Sequence, residues 1–251
     1  MKLGLDGKKV ILTGGSRGLG RAALELFADE GADVGFFSRN KEQVEQTVTS
    51  LKTRNHTVIG DTFDMAGDGY ADWLKRTADA LGGVDIFVHN VSSSGAGGTG
   101  DWDMTYRYDI RGAVDGCNAL LPWLEKSDAA SIVLMSTTAA LETFLQPAAF
   151  NALKAALLTY GKQLSQAWGP KGIRVNMVSP GPIAFPGGNW SKIQTAHPGF
   201  YEATTKQCAL GRLGDAAEVA RTVVFLASPA SSYTTGTNVV IDGGYTKRVQ
   251  F

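Results

Sequence analysis

The stretch Val10–Arg21, VILTGGSRGLGR, decides how the chain is read. A short apolar run, Val10-Ile11-Leu12, stops at Thr13, passes through glycines spaced Gly14-x-x-x-Gly18-x-Gly20, and opens into the amphipathic run Ala22–Ala28. That is a strand, a tight turn and a helix start, in the order a nucleotide phosphate site requires. Glycine lets the backbone reverse sharply and lets a pyrophosphate approach without meeting a Cβ, while the first free N–H groups of the helix point at the anion. The spacing differs from the G-x-G-x-x-G dinucleotide motif, so taken alone it also fits a plain βα turn.

Composition narrows the field. A chain of 251 residues, 43% of them hydrophobic, can bury a substantial interior and suits one α/β domain spanning 1–251. Lys plus Arg and Asp plus Glu each number 24, so no net charge steers the protein to nucleic acid or an anionic membrane. Cys117 and Cys208 stand far apart and outside any C-x-x-C spacing, which argues against a disulfide framework or a metal site. Met1–Gly7 has no apolar signal segment, and no uncharged apolar run reaches the about 20 residues of a membrane span. The expectation is a cytoplasmic protein acting on a small molecule.

Outward from the opening stretch, apolar strand-like runs fall at Lys9–Leu12, Asp33–Phe37, Thr57–Phe63, Asp85–His89, Ala130–Met135, Arg174–Val178 and Asn238–Ile241. Helical patterns lie between them at Gly18–Glu30, Lys41–Arg54, Gly69–Leu81, Trp102–Leu124, Pro147–Trp168 and Ala216–Ser228. This alternation predicts βαβ crossovers and a doubly wound α/β fold: a mostly parallel, seven-stranded sheet with helices on both faces. The Gly/Ser-rich piece Ser92–Gly100 follows a strand, where such folds place a ligand loop. The piece Pro180–Pro198 reads as irregular and marks a substrate loop or lid around 180–210.

The second strand ends in Phe37-Ser38-Arg39-Asn40, about twenty residues beyond the glycine turn. An acid there would hold a ribose 2′-hydroxyl, whereas an Arg accommodates a 2′-phosphate. The nearby acid, Asp33, is at the opposite end of the strand, and Arg17 within the turn offers a second guanidinium. These residues favour NADP(H) over NAD(H), against the plainer reading of two solvated arginines.

Over essentially its full length the chain resembles the short-chain dehydrogenase/reductase family. The matching pieces are Thr13-Gly14-x-x-x-Gly18-x-Gly20, Asp64-Met65, His89-Asn90-Val91-Ser92, Ile132–Thr137, Lys154, Asn176-x-Val178-Ser179-Pro180-Gly181, and Thr235-Gly236 before Val240–Gly244. The resemblance implies a single-domain Rossmann fold, with Asp64 and Met65 flanking the adenine, Asn90 and Val91 lining the inner ribose side, and Pro180, Gly181 and Ile183 bordering the nicotinamide. With Gly14, Ser16, Arg17, Gly18, Leu19, Gly20, Ser38, Arg39, Asn40 and Lys154, these form the expected cofactor set, with no metal. It further implies a homodimer or homotetramer, built partly from the Trp102–Leu124 and Pro147–Trp168 helices.

The departures from that family fall at the chemistry. Its catalytic helix carries Tyr-x-x-x-Lys, and here Phe150 stands four residues before Lys154. In such enzymes the phenol exchanges a proton with the substrate oxygen, and Phe has none to exchange. The catalytic serine aligns with Thr137, whose hydroxyl can still donate. The helical Asn aligns with Asp109, an acceptor-only group able to pair with Lys154 or with Arg111. The expected catalytic set is Asp109, Thr137, Phe150 and Lys154. His89, Tyr106, Tyr108, His197 and Tyr201 are substitutes that nothing in the sequence aims, while Trp102, Phe144, Phe185 and Trp190 are expected to line an apolar pocket. Tyr160, six residues past Lys154, falls on another helix face.

Two functions follow. One is an NADP(H)-dependent oxidoreductase acting on a carbonyl, an alcohol or a conjugated double bond with a non-standard proton donor. The other is a cofactor-binding protein without redox turnover: a sensor, a partner subunit or a non-redox catalyst.

Overall fold

The computed structural model describes every residue except 53–55, 97–98, 144–147 and 250–251. Strands β1 (Lys9–Thr13), β2 (Asp33–Ser38), β3 (Val58–Thr62), β4 (Ile86–His89), β5 (Ser131–Met135), β6 (Arg174–Pro180), β7 (Ile183–Ala184), β8 (Gly214–Asp215) and β9 (Asn238–Ile241) follow in chain order. Seven form one all-parallel sheet in the order β3-β2-β1-β4-β5-β6-β9, with β7 and β8 as a separate pair. The order reverses between β1 and β4, and in open α/β sheets that switch point, at the carboxyl ends of the strands, is where ligands bind.

Helices α1 (Gly18–Asp29), α2 (Lys41–Leu51), α3 (Tyr70–Leu81), α4 (Ser93–Ala96), α5 (Trp102–Thr105), α6 (Gly112–Leu124), α7 (Ala149–Trp168), α8 (Asn189–Ala196), α9 (Pro198–Gln207) and α10 (Ala216–Ala227) complete the elements. The period-2 side-chain alternation of a strand sorts the core into two halves. Val10, Leu12, Val34 and Phe36 meet α1, α2 and α10 on one face, while Ile11, Phe37 and Phe87 meet α3, α6 and α7 on the other. Because both faces are covered, the central strands are apolar without interruption, with β4 and β5 buried throughout.

Three expectations are refined. Trp102–Leu124 is helical throughout, as expected, but not uniformly α: between α5 and α6 the chain makes a π-helical turn, Tyr106–Arg111. Pro180–Pro198 is not irregular: Gly187, at φ +71°, turns the chain into α8, and Pro198 starts α9 at its first position, where its missing N–H costs nothing. The catalytic helix begins at Ala149; Pro147 and Phe144 lie outside the described residues, as do Arg54 and two glycines of the Ser92–Gly100 piece.

The glycine turn is closed tightly. A Cβ on Gly20 would overlap the carbonyl oxygen of Gly14 and lie 2.5 Å from Asn90 Nδ2, both parts of a rigid neighbourhood. Gly20→Ala is therefore expected to cost about 1–3 kcal/mol in urea unfolding. Gly199→Ala, in α9, where an added Cβ meets nothing within 4 Å, is the control. Equal unfolding midpoints for the two variants would contradict the close approach.

Candidate active site

The turn between β1 and α1 is built for an anion and braced from β4. Gly14 and Gly18 take φ of +75° and +57°, which L side chains rarely adopt, and Arg17 precedes α1 in an extended conformation. Asn90, just past β4, donates through Nδ2 to the carbonyl oxygens of Thr13 (3.0 Å) and Gly14 (3.1 Å). Thr13 Oγ1 in return accepts the backbone N–H groups of Asn90 (2.9 Å) and Val91 (3.0 Å). The Asn90 amide thus holds the turn from β4, while the N–H groups of Gly14 and Gly15 tie it to β2 through the Phe37 carbonyl oxygen.

At the end of β2, Ser16 Oγ donates to Ser38 Oγ at 2.7 Å, and Asn40 caps α2 by accepting from the N–H of Gln43 at 2.9 Å. Ser38 and Arg39 line the cleft, whereas Ser16 and the exposed Asn40 are not among the residues lining it. Asp33, at the far end of β2, accepts from the N–H of Thr57. The Arg39 guanidinium lies 5.9 Å from the Tyr108 ring centre, and the Tyr108 hydroxyl donates to Asp64 Oδ1 at 2.8 Å. Burial, then the Asp64 carboxylate, raises the Tyr108 pKa.

The opposite end of the cleft is organised by the π-helical turn. The extra residue per turn rotates Asp109 inward, the kind of local distortion π turns supply at functional sites. Asp109 Oδ1 stands 2.9 Å from Lys154 Nζ, with the two side chains 0% and 1% exposed, so of the two partners open to Asp109 the structure selects Lys154. Arg111 pairs with Asp115 instead. Lys154 Nζ also donates to the Met135 carbonyl oxygen at 2.5 Å, and Asp109 Oδ2 accepts from the N–H of Ser93 at 3.0 Å. Burial pushes the Asp109 pKa up, but the Lys154 charge and the Ser93 N–H outweigh it, and the net shift is downward. Asp109 is therefore an ionised partner of Lys154 and no acid at neutral pH.

Phe150 sits on the first turn of α7 with its ring centre 5.9 Å from Lys154 Nζ. Thr137 follows β5 in an extended conformation and accepts from the N–H of Ala139 at 3.2 Å, which aims its hydroxyl at the cleft wall. His89 is fully buried: Nε2 bonds the Tyr108 carbonyl oxygen at 3.0 Å, and Nδ1 has no partner among the described residues. Burial, reinforced by the Lys154 charge, lowers its pKa to about 4, so its ring is neutral and away from the cleft.

One elongated cleft of about 520 Å³ gathers these parts. Gly14, Arg17, Gly18, Leu19, Gly20, Ser38, Arg39, Asp64, Met65, Asn90, Val91, Thr137, Phe150, Lys154, Pro180, Gly181 and Ile183 all line it, with Asp109 directly behind Lys154. Phe185 and Trp190 line it as expected, and Phe185 lies against Gly18, where an added Cβ would be 2.7 Å from the ring. Trp102 does not; it is 60% exposed. Tyr106, His197 and Tyr201 stay outside, Tyr106 exposed and Tyr201 against Trp190. Tyr160 is directed to Cys117, clear of the cleft. The sequence reading missed Phe200 and Tyr245, which also line the cleft; the only signal for Tyr245 was its place just after Asp242-Gly243-Gly244.

Comparison with known proteins agrees with this geometry. The family model described as enoyl-(acyl carrier protein) reductase matches residues 14–246. The chain belongs to the short-chain dehydrogenase/reductase family. It is 40% identical to an isoepoxydon dehydrogenase of Aspergillus clavatus over 98% of both chains, and 38% identical to one of Penicillium expansum over 99% of this chain and 98% of that one. L-sorbose reductase of Gluconobacter frateurii, solved with NADPH and L-sorbose, superposes with a TM-score of 0.89 at 26% identity over 99% of this chain and 100% of that one. The family uses a nicotinamide cofactor, and the residues present fit one: left-handed glycines at a helix N-terminus, a wall free of Cβ atoms at Gly20, and a buried Lys at the far end. Among the described residues no cluster of three metal-ligating side chains occurs, and no helix is long and apolar enough to cross a membrane.

The neutral His89 links stability to pH. Its pKa is about 4 in the fold, against about 6.5 for an unperturbed His. The stability gained by keeping it neutral is complete above pH 6.5 and is lost as pH falls towards 4, by about 3 kcal/mol. In urea unfolding between pH 7 and pH 4.5, the wild type is expected to lose more stability than His89→Gln; parallel losses would contradict a buried neutral imidazole.

Proposed function

We propose that the protein is an NADP(H)-dependent oxidoreductase that moves hydride to or from a small carbonyl, alcohol or conjugated C=C substrate, with a proton source other than residue 150. The observation that carries this reading is the buried Lys154–Asp109 pair at one end of the cleft whose other end is the braced glycine turn. A positioning lysine and a phosphate cradle have a common purpose only if one long ligand bridges them. The names of the two isoepoxydon dehydrogenases, and of the L-sorbose reductase solved with NADPH, support oxidoreduction between alcohol and carbonyl.

The bound nicotinamide supplies or accepts the hydride. The chain's own residues do the rest. The turn at Gly14–Gly20 binds the pyrophosphate, while Arg17 and Arg39 offer guanidinium groups to a 2′-phosphate where an acid would repel one. Lys154 and Asp109, neutral as a pair, orient the nicotinamide ribose. Thr137 offers its hydroxyl to the substrate oxygen, and Phe185 and Trp190 exclude water beside it. Phe150 contributes an apolar wall and no proton. Two free, buried cysteines suit a reducing cytoplasm, and we take the working form to be a homodimer or homotetramer.

Two measurements test this. Phe150→Tyr is expected to raise kcat/KM with NADPH on a panel of ketones and cyclic enones by about tenfold or more, within the range general acids contribute; brisk wild-type turnover that the substitution leaves unchanged would contradict it. In titrations followed by tryptophan fluorescence, NADPH is expected to bind more tightly than NADH. Arg39→Ala is expected to weaken NADPH about ten- to a hundredfold while leaving NADH nearly unchanged. Equal affinities for the two cofactors would remove the argument from the arginines.

A further inference from the structure

The end of the cleft served by β2 and β3 brings a cation and a carboxylate together. The pairing of Ser38 with Thr62 is the last rung between those strands, and the N–H of Phe63 donates to the Ser38 carbonyl oxygen. Arg39 and Asp64 therefore leave the sheet within two residues of one rung, and both line the cleft, where Asp64 is the one carboxylate among the described residues. A guanidinium and a carboxylate on neighbouring strand ends readily form a bidentate pair, and a paired Arg39 would have spent its donors before any phosphate arrived. The structure directs the two side chains elsewhere.

Both meet Tyr108. Asp64 Oδ1 accepts the Tyr108 hydroxyl at 2.8 Å and the N–H of Ala66 at 3.0 Å. The Arg39 guanidinium lies 5.9 Å from the Tyr108 ring centre, inside the range of a cation–π contact. The ring that meets them is fixed. Tyr108 is 6% exposed, its backbone carbonyl oxygen is bonded to His89 Nε2 at 3.0 Å, and it belongs to the π-helical turn that sends Asp109 to Lys154. Arg39 by contrast is exposed, and a long side chain in water samples many rotamers. A buried ring beside the guanidinium narrows that choice, so less entropy is lost when a ligand fixes the side chain.

We infer that Tyr108 sets the cofactor preference through Arg39: its hydroxyl occupies Asp64 and its ring supports the guanidinium, so that the positive charge stays available to a 2′-phosphate. The inference rests on the NADP(H) reading above and is independent of whether hydride moves. Tyr108 is a positioning residue in this scheme, because it acts through Arg39. The two cofactors differ by one phosphate ester on the adenosine ribose. With that phosphate, an available guanidinium gains a charge-assisted pair; without it, the same guanidinium gains little. Loss of the hydroxyl alone frees Asp64 Oδ1 to compete for Arg39, and the penalty falls on the phosphorylated cofactor.

The test is isothermal titration calorimetry with NADPH and NADH, and with adenosine 2′,5′-bisphosphate and 5′-AMP as probes of this end of the cleft alone. The quantity read is the ratio of affinities with and without the 2′-phosphate, which a general loosening of the fold does not move. Tyr108→Phe, which keeps the ring, is expected to lower that ratio about threefold or more while NADH affinity stays within about twofold. Asp64→Asn removes the competitor, and in the Tyr108→Phe background it is expected to return the ratio to that of Asp64→Asn alone, a non-additivity read as a double-mutant cycle. In an Arg39→Ala background Tyr108→Phe is expected to leave the ratio unchanged. A fall smaller than about threefold, an equal loss for both cofactors, or a loss that persists after Asp64→Asn overturns the inference. A wild type that binds NADPH and NADH equally overturns the NADP(H) reading and this inference with it, whereas a wild type that prefers NADPH but is indifferent to Tyr108→Phe overturns this inference alone.

Discussion

The buried ion pair between Lys154 and Asp109 is the interaction on which the rest of the site depends. Two charges removed from water cost several kcal/mol each, and only close pairing with further hydrogen bonds offsets that. Here the Met135 carbonyl oxygen accepts a hydrogen bond from the ammonium, and the Ser93 N–H donates to the second carboxylate oxygen. Each partner ties down a different element: β5 through Met135, α4 through Ser93, α7 through Lys154 and the π-helical turn through Asp109. The pair is thus both an electrostatic unit and the joint where four elements meet, and removing one charge would leave its partner stranded.

At the other end the governing constraint is steric. Gly20 comes so close to Gly14 that no Cβ fits between them, and Asn90 closes the gap with two hydrogen bonds. The turn is held from both sides, by Asn90 after β4 and by the Phe37 carbonyl oxygen on β2. Between the two ends Phe150, Phe185 and Trp190 give the wall its largest apolar surfaces.

Much of this was legible in the sequence. The parallel sheet followed from apolar runs alternating with amphipathic ones, the glycine turn and Arg39 from their spacing, and Asp64, Thr137 and Lys154 from the resemblance to the family. What was hidden has physical causes. The π turn at Tyr106–Arg111 contains neither Gly nor Pro, so no local signal distinguishes it from continuous α-helix. Pro180–Pro198 looked irregular because its glycines and prolines mark starts and turns, while the short helices between them have weak periodicity. The bonds that the Asn90 and Ser16 side chains make to the glycine turn and to Ser38 join residues far apart in sequence, which only three dimensions reveal. Tyr245 went unnoticed because it is brought to the cleft across the whole length of the chain.

The central claim is that this cleft still transfers hydride without a phenol at position 150. The most direct measurement is incubation of the wild-type protein with NADPH deuterated at C4 of the nicotinamide and a carbonyl panel, with products analysed by mass spectrometry. The account predicts an alcohol, or a saturated ketone from an enone, that carries one deuterium on carbon. Cofactor binding without any deuterium in product would contradict it.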